Sequence, residues 1–217
     1  MRAIQKGPEP RSLTEHRASG NADYVPDYGN YTHLDDLRKS LVAEQGAICC
    51  YCLQRIRPNE DEMKIEHWHC QSDFENEQLD YANMLGACIG GEGRPRKLQH
   101  CDTRKGNSPL SRNPANPLHQ IESFIRFLGD GTIESPDAAL NAELNKVLNL
   151  NLDWQKENRK AVLDGFLEAI AKHKGAFTRK VLLRWIAQWN GGNGGVREPY
   201  CHVVVFWLTK KLAKVTP

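Results

Sequence analysis

The sequence predicts an α+β protein, with a compact strand, strand, helix unit in its first half and an α-helical C-terminal region after it. Three observations carry that expectation. Cysteines recur at metal-ligand spacing as Cys49-Cys50-Tyr51-Cys52, Cys88 and Cys101. Between them lie two short runs of strand length, residues 63–68 and 80–85. From residue 139 onward, apolar residues repeat at helical intervals. At 217 residues the chain can bury a real core, as one domain or two small ones. We divide it into an N-terminal arm over residues 1–33, a cysteine-bearing unit over 34–117 and a mainly helical region over 118–217.

The first thirty residues contain Pro8, Pro10, Pro26, Gly7, Gly20 and Gly29, and read as an extended arm with little regular structure. Leu34, Leu37, Leu41 and Val42 then repeat at helical spacing, with Thr32 as a cap. This helix leads into Cys49-x-x-Cys52, a turn that offers two thiolates to one tetrahedral ion. Cys88 and Cys101 supply the second pair, with His69, His100 and Cys70 as alternatives. Seven cysteines is an odd count for a fully disulfide-bonded chain. Residues 1–12 are charged and proline-containing, without the apolar core of a signal peptide, and no stretch approaches a membrane span. A reducing cytoplasm is therefore expected, where clustered cysteines more often bind metal than crosslink. Structural zinc is the expected ion, leaving Cys50, Cys70 and Cys201 as free thiols.

Between the two thiol pairs, Met63, Ile65 and His67 alternate as on a short strand, with Glu66 and Trp68 on its other face. The second run, through Asn83, leads to Cys88, and a helix beginning near Cys101 places Asp102 in its first turn. These residue types suit phosphodiester hydrolysis. That reaction needs an activated water, a metal to neutralise charge building on the phosphate and a stabilised leaving oxygen. A neutral imidazole is a suitable base, and His67 fits that role. A hard cation such as magnesium prefers carboxylate and water oxygens, which makes Asp102 one candidate ligand and Glu66 a second. Asn83 is a candidate to hold a loop or to orient the ring of His67. Each residue alone is weak evidence; order and spacing together are the signal.

That order, Cys-x-x-Cys, acid-His, Asn, Cys, then Cys-Asp-x-x-Lys, resembles the HNH or ββα-metal endonuclease superfamily in its zinc-bound form. The resemblance implies that His67 is the general base, that Asp102 is a magnesium or manganese ligand and that Asn83 holds the middle motif position. Glu66 stands where many members have Asp, and residues 89–99 form a longer insertion than in many members. More narrowly, Ile65-Glu66-His67-Trp68, residues 79–85 and residues 100–106 resemble PtuB-type nucleases of Septu and retron anti-phage systems. That similarity covers roughly residues 35–116. It implies a defence effector controlled by a PtuA-type ATPase and, in retron versions, by a reverse transcriptase with its RNA-linked DNA.

A net charge of +2 excludes a globally basic nucleic-acid coat. Charge is local instead: Arg94, Arg96, Lys97, Arg104, Lys105 and Arg112 cluster with Asp102 as the one acid, and read as a phosphate-facing rim, with a solvated loop as the plain alternative. Tyr24, Tyr28 and Tyr31 are packing anchors or, alternatively, base-stacking platforms. After the loop at residues 113–117, residues 123–133 read as a hairpin turning at Asp130-Gly131. Four helices follow: one through Ala139 to Leu148, one over 154–172, one over 177–189 and one over 199–214. Gly191-Gly192-Asn193-Gly194-Gly195 lacks a following Gly-Lys-Ser/Thr and reads as a flexible link. The apolar run 203–207 is a helix buried all round or meeting a partner, with a buried strand as the other option. The helical region carries no catalytic set, and reads as a docking platform or brace; His173 and His202 are surface or packing residues. A metal-dependent endonuclease is the leading expectation. A catalytically silent zinc-stabilised nucleic-acid reader and a protein adaptor are the alternatives. Nothing in the residues separates DNA from RNA as substrate.

Overall fold

In the computed structural model, which describes residues 1–215, the chain is mixed α+β. Thr216 and Pro217, the end of the helical region delimited above, lie outside the described residues. An antiparallel hairpin pairs β1 (Met63–His67) with β2 (Met84–Cys88). Its register sets Met63 opposite Cys88, Glu66 opposite Leu85 and His67 opposite Met84. Four steps along a strand cover about 13 Å, so the hairpin carries its cysteine at one end and its histidine at the other. The short helix α3 (Cys101–Lys105) packs on β2.

Helix α2 (Leu34–Gln45) covers the hairpin, burying Leu37 and Leu41. It starts at Leu34 with no side-chain cap, so the role expected of Thr32 is not filled. Asp35 and Asp36 in its first turn meet the positive end of the helix dipole instead. Gly46 closes the helix at φ 66°, where a Cβ would come within 2.6 Å of the Gly195 carbonyl oxygen. Gln45, fully buried, joins helix to sheet. Its amide donates to the carbonyls of Ile48 (2.9 Å) and Gly86 (2.8 Å), and its Oε1 accepts from the Gly86 N–H (2.6 Å). Gln45→Leu keeps the volume and strands the Gly86 N–H and the Ile48 carbonyl. It should cost about 2–3 kcal/mol in urea denaturation, and an unchanged midpoint would show that the bridge contributes nothing.

The N-terminal segment departs from the expected extended arm. Arg11–Ala18 forms a helix, α1, entered directly from Pro10. Proline at a helix entrance is compatible with the fold because its missing N–H has no intrahelical partner there. One apolar residue, Leu13, anchors the helix by packing with Tyr31, Leu37, Leu41, Leu79, Tyr81 and Met84. A single buried position leaves no periodic apolar stripe to detect. Tyr31 is a core residue, whereas Tyr24 lies at the surface beside His16.

The residues expected as a longer hairpin pair only Arg126–Phe127 (β3) with Ile133–Glu134 (β4), and Ile121–Phe124 forms a 3-10 turn. The helix expected through residues 139–148 divides into α4 (Ala138–Ala142), capped by Asp137, and a π turn over Glu143–Val147. Beyond it lie α5 (Asp153–Ala171), α6 (Arg179–Trp189) and α7 (Cys201–Leu212). The glycine run holds a 3-10 turn at Gly192–Gly194. Val203, Val204 and Val205 are all buried on α7, so the run is a core helix, not a strand. His202 is buried against the Met1 carbonyl, and His173 packs on Phe177 and Trp185. One core cluster joins Ile4, Tyr51, Leu85, Ile121, Phe127, Leu144, Leu163 and Val203, and so draws on all three sequence segments. Among the described residues, no helix is long and apolar enough to cross a membrane.

Candidate metal centre and active site

The cysteine end of the hairpin gathers Cys49, Cys52, Cys88 and Cys101, all buried, with their sulfurs within 4.8 Å of one another. The knuckle is shaped by left-handed residues on both sides, Ala47 at φ 60° and Leu53 at φ 68°, and Cys101 enters α3 at φ 54°. Cys49 Sγ is 3.9 Å from Cys101 Sγ, and Cys52 Sγ is 3.7 Å from Cys88 Sγ. A regular tetrahedron with a Zn–S bond of about 2.3 Å has edges of about 3.8 Å. A disulfide would need about 2 Å. The donor set and spacing therefore fit a site that could hold a zinc ion.

Electrostatics agree. Burial opposes ionising Cys49, but the thiols of Cys101, Cys50, Cys52 and Cys88 around it hold it well below the ordinary thiol range. Burial pushes Cys101 well up. Four buried thiols cannot all ionise without a compensating cation. Of the alternative ligands, His100 borders the cluster, with Nδ1 3.2 Å from Cys101 Sγ and 4.0 Å from Cys88 Sγ. His69 is engaged with Glu77, and Cys70 lines a different cavity. The 89–99 insertion folds back through Gly90 (φ 56°), whose carbonyl accepts from the His100 N–H; a Cβ there would meet the His100 oxygen at 2.2 Å.

The other end of the hairpin opens into a cavity of about 380 Å³ lined by Ile65, Glu66, His67, Cys70, Gln71, Ser72, Asp102, Gly106 and Asn107. Helix α3 reaches both ends: Cys101 faces the sulfurs, and Asp102 and Lys105, three residues apart on one face, meet Glu66. Glu66 is 2 % exposed. Its Oε1 takes the Tyr51 hydroxyl (2.6 Å) and the Lys105 ammonium (2.9 Å), and the Asp102 carboxyl lies beside it in the wall of the same cavity. Burial, and then the Asp102 carboxyl, push the Glu66 pKa well above the usual carboxylate range, and Lys105 and Tyr51 draw it only part of the way back.

A carboxyl with a raised folded pKa binds its proton more tightly when folded. Its stability contribution is full below about pH 4.3 and is lost as pH rises through the folded value. In magnesium-free buffer, the melting temperatures of wild type and Glu66→Gln should converge as pH falls toward the ordinary carboxylate value of about 4.3. A pH-independent difference between them would contradict the assignment.

His67 Nε2 lies 2.9 Å from the Gln78 carbonyl oxygen. A carbonyl can only accept, so Nε2 carries the proton and Nδ1 keeps its lone pair. Nδ1 receives the Gln71 amide at 3.0 Å. Burial lowers the pKa of His67, which favours neutral imidazole. Asn83 does not touch the ring. Its Oδ1 accepts from the His69 N–H (2.8 Å) and its amide donates to the His69 carbonyl (3.0 Å), so it holds the loop after β1. Gln71, Gln78 and Tyr51 complete the surroundings and were not foreseen; the Gln78 contact runs through its backbone and leaves no mark in the sequence.

The expected basic rim is divided. Arg94, Arg96 and Lys97 are exposed on the 89–99 insertion, and none of them lines the cavity. Arg104 is half-buried and donates to the Arg96 carbonyl. Lys105 does not belong to a rim: it is buried and paired with Glu66. Arg112 is turned away, binding Asp137 and the His119 carbonyl and lying over the Phe124 ring. Comparison with known proteins adds no assignment: no family model matches the chain, and no curated protein matches it.

Proposed function

We propose that this protein is a metal-dependent endonuclease of the HNH, ββα-metal kind, with structural zinc at the four cysteines. One observation carries the reading. A histidine whose Nε2–H is committed to a backbone carbonyl, and whose Nδ1 accepts from the Gln71 amide, lines one cavity with two neighbouring carboxyl residues, Glu66 and Asp102. Two neighbouring carboxyl groups, one of them buried, repel when both ionise and are well suited to a divalent ion.

Glu66 and Asp102 would hold magnesium or manganese, hard cations that prefer carboxylate oxygens. Bound there, the ion supplies charge neutralisation at the phosphate and the leaving oxygen. The chain's own residues do the rest. His67 Nδ1 accepts a proton from the attacking water, and the Gln78 carbonyl keeps Nε2 protonated so that Nδ1 remains the basic atom. The Gln71 amide occupies the water's position and must swing aside. Lys105 and Tyr51 fix Oε1 of Glu66. Arg94, Arg96 and Lys97, exposed on their insertion, would contact the phosphate backbone beyond the cavity.

The substrate class is DNA or RNA. The test is cleavage of single- and double-stranded DNA, RNA and tRNA by purified protein, with and without magnesium or manganese. Metal-dependent shortening of any substrate, lost in Asp102→Ala, supports the reading. Salt-sensitive binding without shortening would favour the catalytically silent reader.

The resemblance noted above extends the proposal to an anti-phage effector held in check by a PtuA-type ATPase, with a retron reverse transcriptase and its RNA-linked DNA as a further partner. The helical region offers surface for such a role: a groove of about 840 Å³ runs between α5 and α6, walled by Phe166, Ile170, Trp185 and Trp189. Activity of the isolated chain equal to that of any complex would remove the restraint from the proposal.

A further inference from the structure

The His67 ring is held from a third side by a residue far away in the chain. Tyr28 meets it edge-on, with ring centroids 4.7 Å apart and planes at 86°. The same segment is tied to the loop that binds His67: the Tyr28 N–H donates to Gln78 Oε1 (3.2 Å), and the Gln78 carbonyl takes the His67 Nε2–H. Gln78 therefore grips the tyrosine with its side chain and the histidine with its backbone. The segment is built to stay in place. His16 Nε2 donates to the Asp27 carbonyl (2.9 Å), Tyr31 hydrogen-bonds to Ser12 (2.9 Å), and α1 is seated through Leu13.

Two of the three restraints on the imidazole are polar, and one of those is temporary. The Gln71 amide sits on the lone pair that a nucleophilic water must use. Once it leaves, the Gln78 hydrogen bond alone would let the ring pivot about its Nε2–H···O axis. A flat apolar wall perpendicular to the ring blocks that pivot without competing for Nδ1. Burial pushes the Tyr28 hydroxyl up to about 12, so the wall is uncharged at neutral pH.

We propose that Tyr28 is a positioning residue for the catalytic histidine, and that the N-terminal segment is thereby part of the active site. This rests on the reading of His67 as the base. The ring is the working part, so phenylalanine should serve as well as tyrosine.

The test uses the full chain, with Tyr28→Phe, Tyr28→Ala and Tyr28→Leu; the leucine variant retains apolar bulk should alanine fail to fold. Zinc content and melting temperature serve as controls. Imidazole NMR signals, assigned with His67→Gln, report on the ring directly. In wild type and Tyr28→Phe the His67 Nε2–H should be visible and its carbon-bound protons shifted by the tyrosine or phenylalanine ring current. In Tyr28→Ala and Tyr28→Leu both signatures should disappear. With a cleavable substrate, kcat should fall about tenfold to a hundredfold in these two variants at unchanged KM, and remain at the wild-type value in Tyr28→Phe.

A wild-type His67 Nε2–H signal and a wild-type kcat in folded Tyr28→Ala or Tyr28→Leu would overturn the proposal. So would a kcat for Tyr28→Phe as low as for Tyr28→Ala, since the hydroxyl would then be the working group. A wild-type proton on Nδ1 would instead defeat the base assignment, while the ring-current shift still decides whether Tyr28 holds the ring.

Discussion

Removing the ion from the four-cysteine centre is expected to destroy the cooperative fold around the β1–β2 hairpin. Cys49, Cys52, Cys88 and Cys101 lie inside the main core cluster, beside Ile48, Leu53, Leu85 and Leu148. They tie the knuckle, the end of β2 and the start of α3 to one point. Without an ion, four crowded buried thiols remain, and the left-handed backbone at Leu53 and Cys101 would have no ligation to hold it. Structural zinc contributes about 10–16 kcal/mol in small zinc domains, more than the whole stability of many proteins at about 5–15 kcal/mol. The remaining core here is larger than a zinc finger's, so part of the helical content of α5 to α7 should survive. Cys101→Ser, which deletes one ligand, should lose at least about 4 kcal/mol, or roughly 8–16 °C in melting temperature for a chain of this size. Elemental analysis should find one zinc per chain in wild type. Metal-free protein with an unchanged melting curve would refute the structural role. Withdrawal of magnesium, by contrast, should leave folding intact.

The parts of the site legible in the sequence were those whose chemistry is carried by residue type and spacing. Four cysteines with a Cys-x-x-Cys knuckle pointed to one cluster, and the structure brings those four together. The 63–67 strand was visible from alternation, whereas the second run, expected over 80–85, is a 3-10 turn at Tyr81–Asn83 followed by the strand Met84–Cys88, because Asp80 caps the turn and delays the extended backbone. What could not be read was direction. Lys105 belonged to a basic run in the sequence, yet it shares a helix face with Asp102, and that face points at Glu66. The three-residue spacing from Asp102 was the available signal, outweighed by the positive charges around it. Arg112 was likewise placed by its neighbours in the chain, although its carboxylate partner, Asp137, lies in another element. The α1 helix escaped because its single buried leucine makes no pattern. Tyr28 and Gln78 act through a ring face and a peptide carbonyl, which any sequence offers in abundance.

Replacing His67 by alanine should abolish cleavage while leaving the protein folded. The residue is at the end of β1, where the strand pairing ends at Met84, and among the described residues its side chain hydrogen-bonds to Gln78 and Gln71, with Tyr28 packed against it. None of these contacts belongs to the four-cysteine centre, so zinc content and melting temperature should change little. Loss of a positioned general base slows such reactions by about 10²–10⁴, and the deficit should appear in kcat, not KM, because the base acts on the water. The pH profile gives an independent check. Burial depresses the His67 pKa below its ordinary 6.5, and a base works only when deprotonated. Wild-type cleavage should therefore reach half its plateau at a pH below 6.5, whereas a solvent-exposed imidazole would already have lost half its activity at about 6.5. An Asn83→Ala variant separates base from scaffold. It removes three hydrogen bonds from the loop after β1 and none from the ring, so it should lower stability more than rate. Cleavage by His67→Ala at the wild-type rate would rule out this histidine as the base, whatever the effect of the metal.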